Sequence, residues 1–512
     1  MDIVTAQEMY ERDQVAIQTV GICGSMLMEN AGRAVSDDVE KKLSAGQQII
    51  VLIGGGNNGG DGFVIARTLR NRGYLVQAWQ VVPDEKIKGD ALAHKKLYLH
   101  SGYRLNKMED LPSLRQSLHQ ADVVIDAILG IGVDGPLRSP LDQVVSIVNE
   151  IPAYTISAYT ISVDLPSGVP ADEGAIEFDG VCADYTCVID TPKMSAFLES
   201  TSPYYGEWTT VEIGLPNHLV KRTGRQWWGM EDALNTFPVR DPHSHKGSHG
   251  KGIVIGGSCS MPGSVGMTAK AALRSGIGLL TIAAPKSSIP MLAPYLQEAM
   301  FHPLPEDGGF IRDFKNVDWS AYNGAAIGMG MGRDERLTVQ MDELFTHAEG
   351  PLIIDADGLY HMKEKAAKCR DYPHPVILTP HPGEFAFLTD RSIAEVMQSP
   401  FSITRNFAKT NGVYVVLKGP STIITSPDGE QRVETSGNEG LAKGGSGDTL
   451  SGILLALVLQ SSSVLDALAN GCMVHGKTAE RLTMTTHSTF DLSATDLING
   501  LSQTFRTFSS ST

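Results

Sequence analysis

The stretch IIVLIGGGNNGGDGFVIARTLRNRG (49–73) decides the fold. Its opening residues, IIVLIG (49–54), are apolar without alternation, and FVIARTLRNRG beyond the glycines has helical spacing. A strand apolar on both sides belongs in a parallel sheet covered by helices on both faces. Ligands of such sheets sit beyond the carboxyl ends of the strands, where glycines let backbone come close and a helix N-terminus favours negative charge. The loop GGGNNGGDG (54–62) is therefore a predicted site, although its spacing is not the G-x-G-x-x-G dinucleotide fingerprint. Asn57, Asn58 and Asp61 add oxygens that suit a hard monovalent cation or a sugar hydroxyl.

Outward from this loop the pattern repeats. Residues 6–43 have helical spacing, and LVQAWQVV (75–82), ADVVIDAILG (121–130) and TISVDLPSG (160–168) read as further strands. A second series begins near residue 250 with GKGIVIGG, GLLTIAAP (278–285), GAAIGMG (324–330), PLIIDADG (351–358), PVILTPHPGE (375–384) and VYVVLKG (413–419). At 512 residues the chain exceeds one compact core. The expectation is an α/β protein of two domains, residues 1–220 and 245–507, joined by a linker over 221–244. AYTIS occurs twice in tandem (153–157 and 158–162) and reads as a lengthened loop before the fourth strand.

Composition excludes several classes. Hydrophobic residues at 42% and charged residues at 20% are ordinary for globular chains and argue against disorder. A formal net charge of −16 disfavours a nucleic-acid partner, which would need a basic face. The longest purely apolar stretch, Ile453 to Leu459, is far short of a membrane span, and MDIVTAQEMYERD lacks the apolar region of a signal peptide. Cys23, Cys182, Cys187, Cys259, Cys369 and Cys472 form no C-x-x-C, so a reduced, cytoplasmic setting is expected.

Asp126 in VVIDAILG and Asp164 in VDLPSG add carboxylates at two more strand ends, beside the glycine loop GIGVDGP (130–136). Each alone is an ordinary turn residue; converging on one sheet edge they define a site. Together LMENAG (27–32), GNNGGDGFVIAR (56–67), VIDAILGIGVDGPLR (124–138) and SVDLPSGV (162–169) resemble the NAD(P)H-hydrate epimerase domain. The resemblance implies a Rossmann-like three-layer sandwich that interconverts the R and S epimers of hydrated NAD(P)H. It also implies substrate contacts from Asn57, Asn58, Gly59, Gly60 and Asp61, from Gly130, Ile131, Gly132, Val133, Asp134, Gly135 and Pro136, and from Asp164. Asn58, Asp126 and Ser167 would hold potassium, and Asp164 would be the acid/base, since epimerisation at a hydrated carbon needs proton transfer. The family commonly has Pro where this chain has Gly55.

In the C-terminal half, GNEGLAKGGSGDTLSG (437–452) places glycines before a helix whose first turn carries Asp448. Backbone amides there can hold a transferring phosphate while the aspartate takes the proton of an attacking hydroxyl. No G-K-[ST] follows at P-loop spacing. KGPST (418–422) and HPGE (381–384) end strands with groups able to meet a nucleotide and a substrate, and HKGSHGKG (245–252) with GGSCSMPGS (256–264) reads as a further polar wall. With AALRSGIGLL (271–280) and DADGL (355–359), these motifs resemble the nucleotide-dependent NAD(P)H-hydrate dehydratases, whose fold is ribokinase-like.

That resemblance implies transfer of phosphate from ADP, accompanied by Mg2+, to the hydrate hydroxyl, with Asp448 as base. Ala269, Gly330 and His381 match substrate positions; Lys418, Gly419, Pro420, Ser421, Thr422 and Gly447 match nucleotide positions. GMGMG (328–332) stands where the family usually has GPGLG. The combined expectation is a homo-oligomeric repair enzyme acting on NADHX and NADPHX. Two other readings stay open: a vitamin or sugar kinase with a nicotinamide-nucleotide-binding accessory domain, and a non-enzymatic nucleotide sensor.

Overall fold

Strand β1 (Gln48–Ile53) is buried on both sides: Ile49, Val51 and Ile53 enter one apolar cluster while Ile50 and Leu52 enter another. The computed structural model describes residues 1–133, 135–151 and 158–509. The chain divides into two units, Asp2–Thr223 and Met1 with Gly224–Thr512.

In the first unit β1 is followed by β2 (Leu75–Gln80), β3 (Leu105–Lys107), β4 (Val123–Ala127), β5 (Tyr159–Val163), β6 (Tyr185–Ile189) and β7 (Glu207–Val211). All pair parallel in the order β3-β2-β1-β4-β5-β6-β7. One face is covered by helices Gly24–Val39, Asn57–Asn71 and Gly89–His100, which bury Leu27, Phe63 and Tyr98. The other is covered by Leu111–Leu118 and Leu141–Glu150, which bury Leu114 and Val145. This is a three-layer, Rossmann-like arrangement, as the apolar strands require. The first AYTIS copy (153–157) lies outside the described residues; the second supplies Ala158 and most of β5.

The second unit contains β8 (Arg225–Trp227), β9 (Lys251–Ile255), β10 (Leu279–Pro285), β11 (Met300–Leu304), the separate hairpin β12 (Glu306–Asp307) and β13 (Phe310–Ile311), then β14 (Gly324–Ile327), β15 (Leu352–Ile354), β16 (Val376–Leu378), β17 (Tyr414–Leu417), β18 (Thr422–Thr425) and β19 (Gln431–Glu434). The ten-stranded sheet runs β11-β10-β9-β14-β15-β16-β17-β18-β19-β8. It is parallel as far as β17, and β18 is antiparallel to both its neighbours. Val254 and Ile353 pack beneath helices Pro262–Arg274, Ser446–Val458 and Val464–Thr485; Ile255 and Ile354 face helices Glu335–His347 and Pro400–Asn411.

The expected linker 221–244 is corrected by this sheet. β8 pairs with β19, Trp228 is buried with its indole N–H donating to Asn470 Oδ1 at 3.0 Å, and the helix Met230–Thr236 buries Ala233 in the core. A three-residue strand is too short to show a period, so only its Trp227 and the adjoining Trp228 marked it in the sequence.

Glu434 closes β19 at 3% exposure and accepts from the Ser436 amide at 3.0 Å and hydroxyl at 2.6 Å. Burial pushes its carboxyl up to about 7, the serine bonds opposing only in part. The folded chain therefore binds more protons than the unfolded one between the ordinary glutamate range and about pH 7, and its stability contribution falls as pH rises through that window. Glu434→Gln is expected to melt higher than the parent near pH 8, by an amount on the order of 3 kcal/mol, with the gap closing near pH 4. Equal melting offsets at the two pH values would show that folding does not shift the Glu434 carboxyl.

Candidate functional site

In the first sheet the strand order reverses between β1 and β4, and a cavity of about 360 Å³ opens beyond their carboxyl ends. Asn57, Asn58, Asp61, Gly130, Ile131, Gly132 and Asp164 reach its wall. Gly59 and Gly60 do not form the wall. A Cβ on Gly59 would lie 2.1 Å from the Gly54 carbonyl oxygen, and one on Gly60 would lie 2.3 Å from Met28 Sδ. They let the helix Asn57–Asn71 start hard against the sheet, which is what brings Asn58 and Asp61 to the cavity. Val133, Gly135 and Pro136 stand away from the wall, and Asp134 lies outside the described residues.

Asp126, at the end of β4, is wholly buried and accepts four hydrogen bonds. They come from the Ser162 hydroxyl at 2.9 Å, the Ser167 amide at 2.8 Å, the Ile128 amide at 3.2 Å and the Ser167 hydroxyl. Burial raises this carboxyl and the hydrogen bonds hold it back. Asn58 donates from Nδ2 to the Leu129 carbonyl at 2.7 Å, while its buried Oδ1 has no hydrogen-bond partner. The Leu129 carbonyl also accepts from Ser167 at 3.2 Å, which ties Asn58, Asp126 and Ser167 into one oxygen-rich cluster.

Asp13, Asp61, Asp90 and Asp164 all face the same cavity. Asp164 has a left-handed backbone, φ 68°, and accepts from the Ile189 amide at 3.1 Å and from the buried Lys193 ammonium. Burial and then the charge of Asp164 push Asp13 up to about 6. Burial, with Asp164 and Asp13 next, raises Asp61 well above the usual range. Tyr10, Asp13 and Lys193 were not read from the sequence. Met9, Asp13 and Ile17 all line the cavity at four-residue spacing, and the one signal was a carboxylate in that apolar stripe.

In the second sheet the order reverses between β9 and β14. The loops after these strands touch, the Gly257 amide donating to the Met329 carbonyl at 2.8 Å. Asp355, just beyond β15 and 2% exposed, accepts from Lys418 Nζ at 3.0 Å, the Ser451 hydroxyl at 2.6 Å and the Ala356 amide at 2.9 Å. Burial alone would pull the Lys418 ammonium down, but Asp355 and Glu384 outweigh it and leave it raised. Gly447 sits beside this pair: a Cβ there would lie 3.5 Å from Lys418 Nζ. Asp448 follows in the first helical turn. Burial, then the charge of Asp355, pushes it up to about 6, against the Ser264 hydroxyl and Lys418. His475 lies behind, 3.4 Å from the Ser446 hydroxyl, and burial pushes it down to about 4. The motif holding Asp355 was read, but its pairing with Lys418 and Ser451 was not.

Other expected residues fall at graded distance from this centre. Gly419 and Pro420 are exposed, and Ser421 and Thr422 partly so, on the β17–β18 turn. Gly330 has φ 67° in a loop whose Met329 and Met331 are fully buried on opposite faces of the sheet, so GMGMG anchors itself by burying its methionines. The ring of His381 caps the helix Pro382–Thr389, accepting from Gly383 N at 3.1 Å, and is otherwise exposed. Ala269 is 0% exposed within the apolar core and offers no surface to a substrate. HKGSHGKG runs into the start of β9, the amino edge of the sheet, so it is no part of this wall.

Two open, mainly parallel sheets, each with carboxylates and glycine loops beyond the carboxyl ends of its strands, define an α/β enzyme. The chain matches the family model YjeF-related protein N-terminus over residues 24–195 and NAD(P)H-hydrate dehydratase over residues 253–502. It is 32% identical over 489 residues to a bifunctional NAD(P)H-hydrate repair enzyme of Moorella thermoacetica, covering 93% of this chain and 91% of that one. A solved ADP/ATP-dependent NAD(P)H-hydrate dehydratase from Bacillus subtilis is 34% identical, covers 55% of this chain and 98% of its own, and has a TM-score of 0.49. A ribokinase-like superfamily protein from Enterococcus faecalis shares the fold of the second unit's share of the chain, at 23% identity, TM-score 0.50, covering 56% of this chain and 98% of its own. The chain belongs to the family of bifunctional NAD(P)H-hydrate repair enzymes.

Proposed function

We propose that the chain restores hydrated NAD(P)H in two steps, the segment 1–220 interconverting the R and S epimers and the segment 245–507 dehydrating the S epimer at the expense of ADP. What carries the reading is the pairing found at both sheet edges: a carboxylate ion-paired to a lysine (buried Lys193, half-buried Lys418), beside a second carboxylate pushed up to about 6. Environments that drive two carboxyls apart are how one pocket holds an acid and a base together. A sensor would have no use for such pairs, and a kinase reading leaves the first cavity without a task. Cytoplasmic residence and a homo-oligomer belong to the same reading; the six free cysteines suit a reducing compartment.

In the dehydratase step Asp448 takes the hydrogen of the substrate hydroxyl as that oxygen bonds the terminal phosphorus of ADP, and AMP leaves. The C–O bond then breaks with its electron pair on the phosphate, and loss of a proton from the neighbouring carbon restores the double bond. Gly447 and the first-turn amides hold the phosphate, Lys418 lies beside it, and Ser451 with Lys418 fixes Asp355. Mg2+ would supply charge neutralisation on the nucleotide; Asp355, Asp448 and Glu384 are hard oxygen donors of the right kind, and one or two suffice alongside phosphate oxygens. In the epimerase cavity potassium fits the cluster of Asn58, Asp126 and Ser167, because Asn58 Oδ1 is buried without a partner. It would lend positive charge to the loop ends there.

Incubation with chemically hydrated NADH and ADP is expected to return the absorbance of reduced nicotinamide; no return would end this reading. Asp448→Asn should lower kcat by ~10²–10⁴ with ADP affinity little changed. In the parent, kcat should fall as pH drops through about 6, because protonation removes the base. A lower melting point with near-normal kcat would reduce Asp448 to a helix cap. For the cation, potassium but not choline should raise the melting temperature of the parent, and Asn58→Ala should abolish that rise; an equal rise in both would place the ion elsewhere.

A further inference from the structure

Asp13 stands where stability gives no reason for an acid. It lies in the last turn of the helix Ala6–Gln14, the end whose partial negative charge disfavours a carboxylate. It occupies the cavity-facing stripe between Met9 and Ile17, where an apolar residue would pack. A π-turn, Val15–Val20, follows at once, a rare backbone form that recurs at functional sites. The groups facing it are Tyr10 on its own helix, Asp61 and Asp90 from neighbouring helices, Asp164 after β5, and Asp190 with Lys193 after β6. Lys193 makes its ion pair with Asp164 and acts on Asp13 only at longer range, where its charge is outweighed by burial and by Asp164.

We infer that Asp13 is a second catalytic acid/base of the epimerase cavity, working opposite Asp164. The inference rests on the epimerase reading of the first unit. Epimerisation inverts a carbon bonded to both a hydroxyl and the ring nitrogen, and a route that keeps the ring closed releases water from one face and returns it to the other. The protonated Asp13 gives its proton to the hydroxyl. The C–O bond breaks with its electron pair on oxygen, water departs, and the nitrogen lone pair forms a C=N⁺ bond. Water then adds to the opposite face, its oxygen supplying the electron pair of the new C–O bond, and Asp164 takes the released proton. The reverse direction exchanges the two roles, and proton exchange with solvent restores the starting forms. Nothing is oxidised or reduced, and water is consumed and released once. Burial and the neighbouring Asp164 push Asp13 up to about 6, so it can give and take a proton near that pH.

The test uses the full chain and the purified R epimer, with the S epimer followed by chromatography across about pH 5 to 8. Asp13→Asn should slow epimerisation ~10²–10⁴-fold and remove the limb of the pH–rate profile near pH 6, while the melting temperature stays close to the parent's or rises. Asp13→Glu should recover part of the rate and restore that limb at a shifted position. Normal epimerisation with an unchanged profile in Asp13→Asn would overturn the assignment. So would slow epimerisation whose profile keeps its pH 6 limb, because Asp13 would then only shape the cavity. A parent chain that does not epimerise at all would overturn the reading beneath it.

Discussion

Strands β9, β10, β14, β15, β16 and β17 of the large sheet, like β1, β4, β5 and β6 of the first sheet, are sealed by side chains on both faces, as Ile353 and Ile354 show by entering different clusters. A backbone sealed in this way saturates its hydrogen bonds within the sheet, and polar side chains along it would be buried without water. Chemistry is thereby confined to the ends of the strands, and parallel pairing gathers those ends on one edge. Asp126, Asp164 and Asp355 all occupy such ends. What differs between the two units is which loops follow the strands, not the constraint that places them.

At both edges the same electrostatic device answers the cost of burying charge. Asp164 has Lys193, 1% exposed in its side chain, and Asp355 has Lys418. Each lysine balances one carboxylate, and a second carboxyl in each place, Asp13 or Asp448, is left to be pushed upward by burial and by the first. Like charges in a dry pocket resist ionising together, so such a group exchanges its proton at about pH 6, well above the ordinary carboxylate range. Backbone strain follows the same map: Asp164, Asp190 and Ala356, three of the four non-glycine residues with positive φ among those described, stand just after strands at these edges. Strained conformations persist where surrounding structure forces them, and here they turn carboxylates and amides toward the ligand.

Much of this was legible. The apolar runs and the glycines that end them marked both sheets, the aspartates Asp126 and Asp164 stood out by their place at strand ends, and Asp448 by its place in the first helical turn after a glycine run. Asp13 and Lys193 escaped because each belongs to a segment whose pattern is ordinary; that they share a cavity follows from tertiary placement. HKGSHGKG misled for a related reason. Glycine clusters mark places where the backbone must turn or come close, but a strand has such places at both ends, and only its position before β9 puts this one on the wrong edge. Ala269 illustrates another limit, since a small residue on a helix facing a site and one facing the core read alike, and this one is fully buried.

The methionine loop 328–332 shows how far a site can drift in sequence while its geometry holds. Gly328, Gly330 and Gly332 all have positive φ, conformations that alternate residues must bridge. Met329 and Met331 do so by burying completely on opposite faces of the sheet, and their unbranched side chains adapt to irregular gaps there. The loop is thus pinned from both sides by apolar burial, where a proline would have pinned it through its own ring. Its glycines then remain free to pass close to Met261 and Ser264, each 3.1 Å from where a Cβ on Gly330 would stand. Ser264 in turn bonds Asp448. Apolar burial in the core therefore bears on the position of the carboxylate at the edge, and a loop of unfamiliar sequence keeps the wall of the site in place.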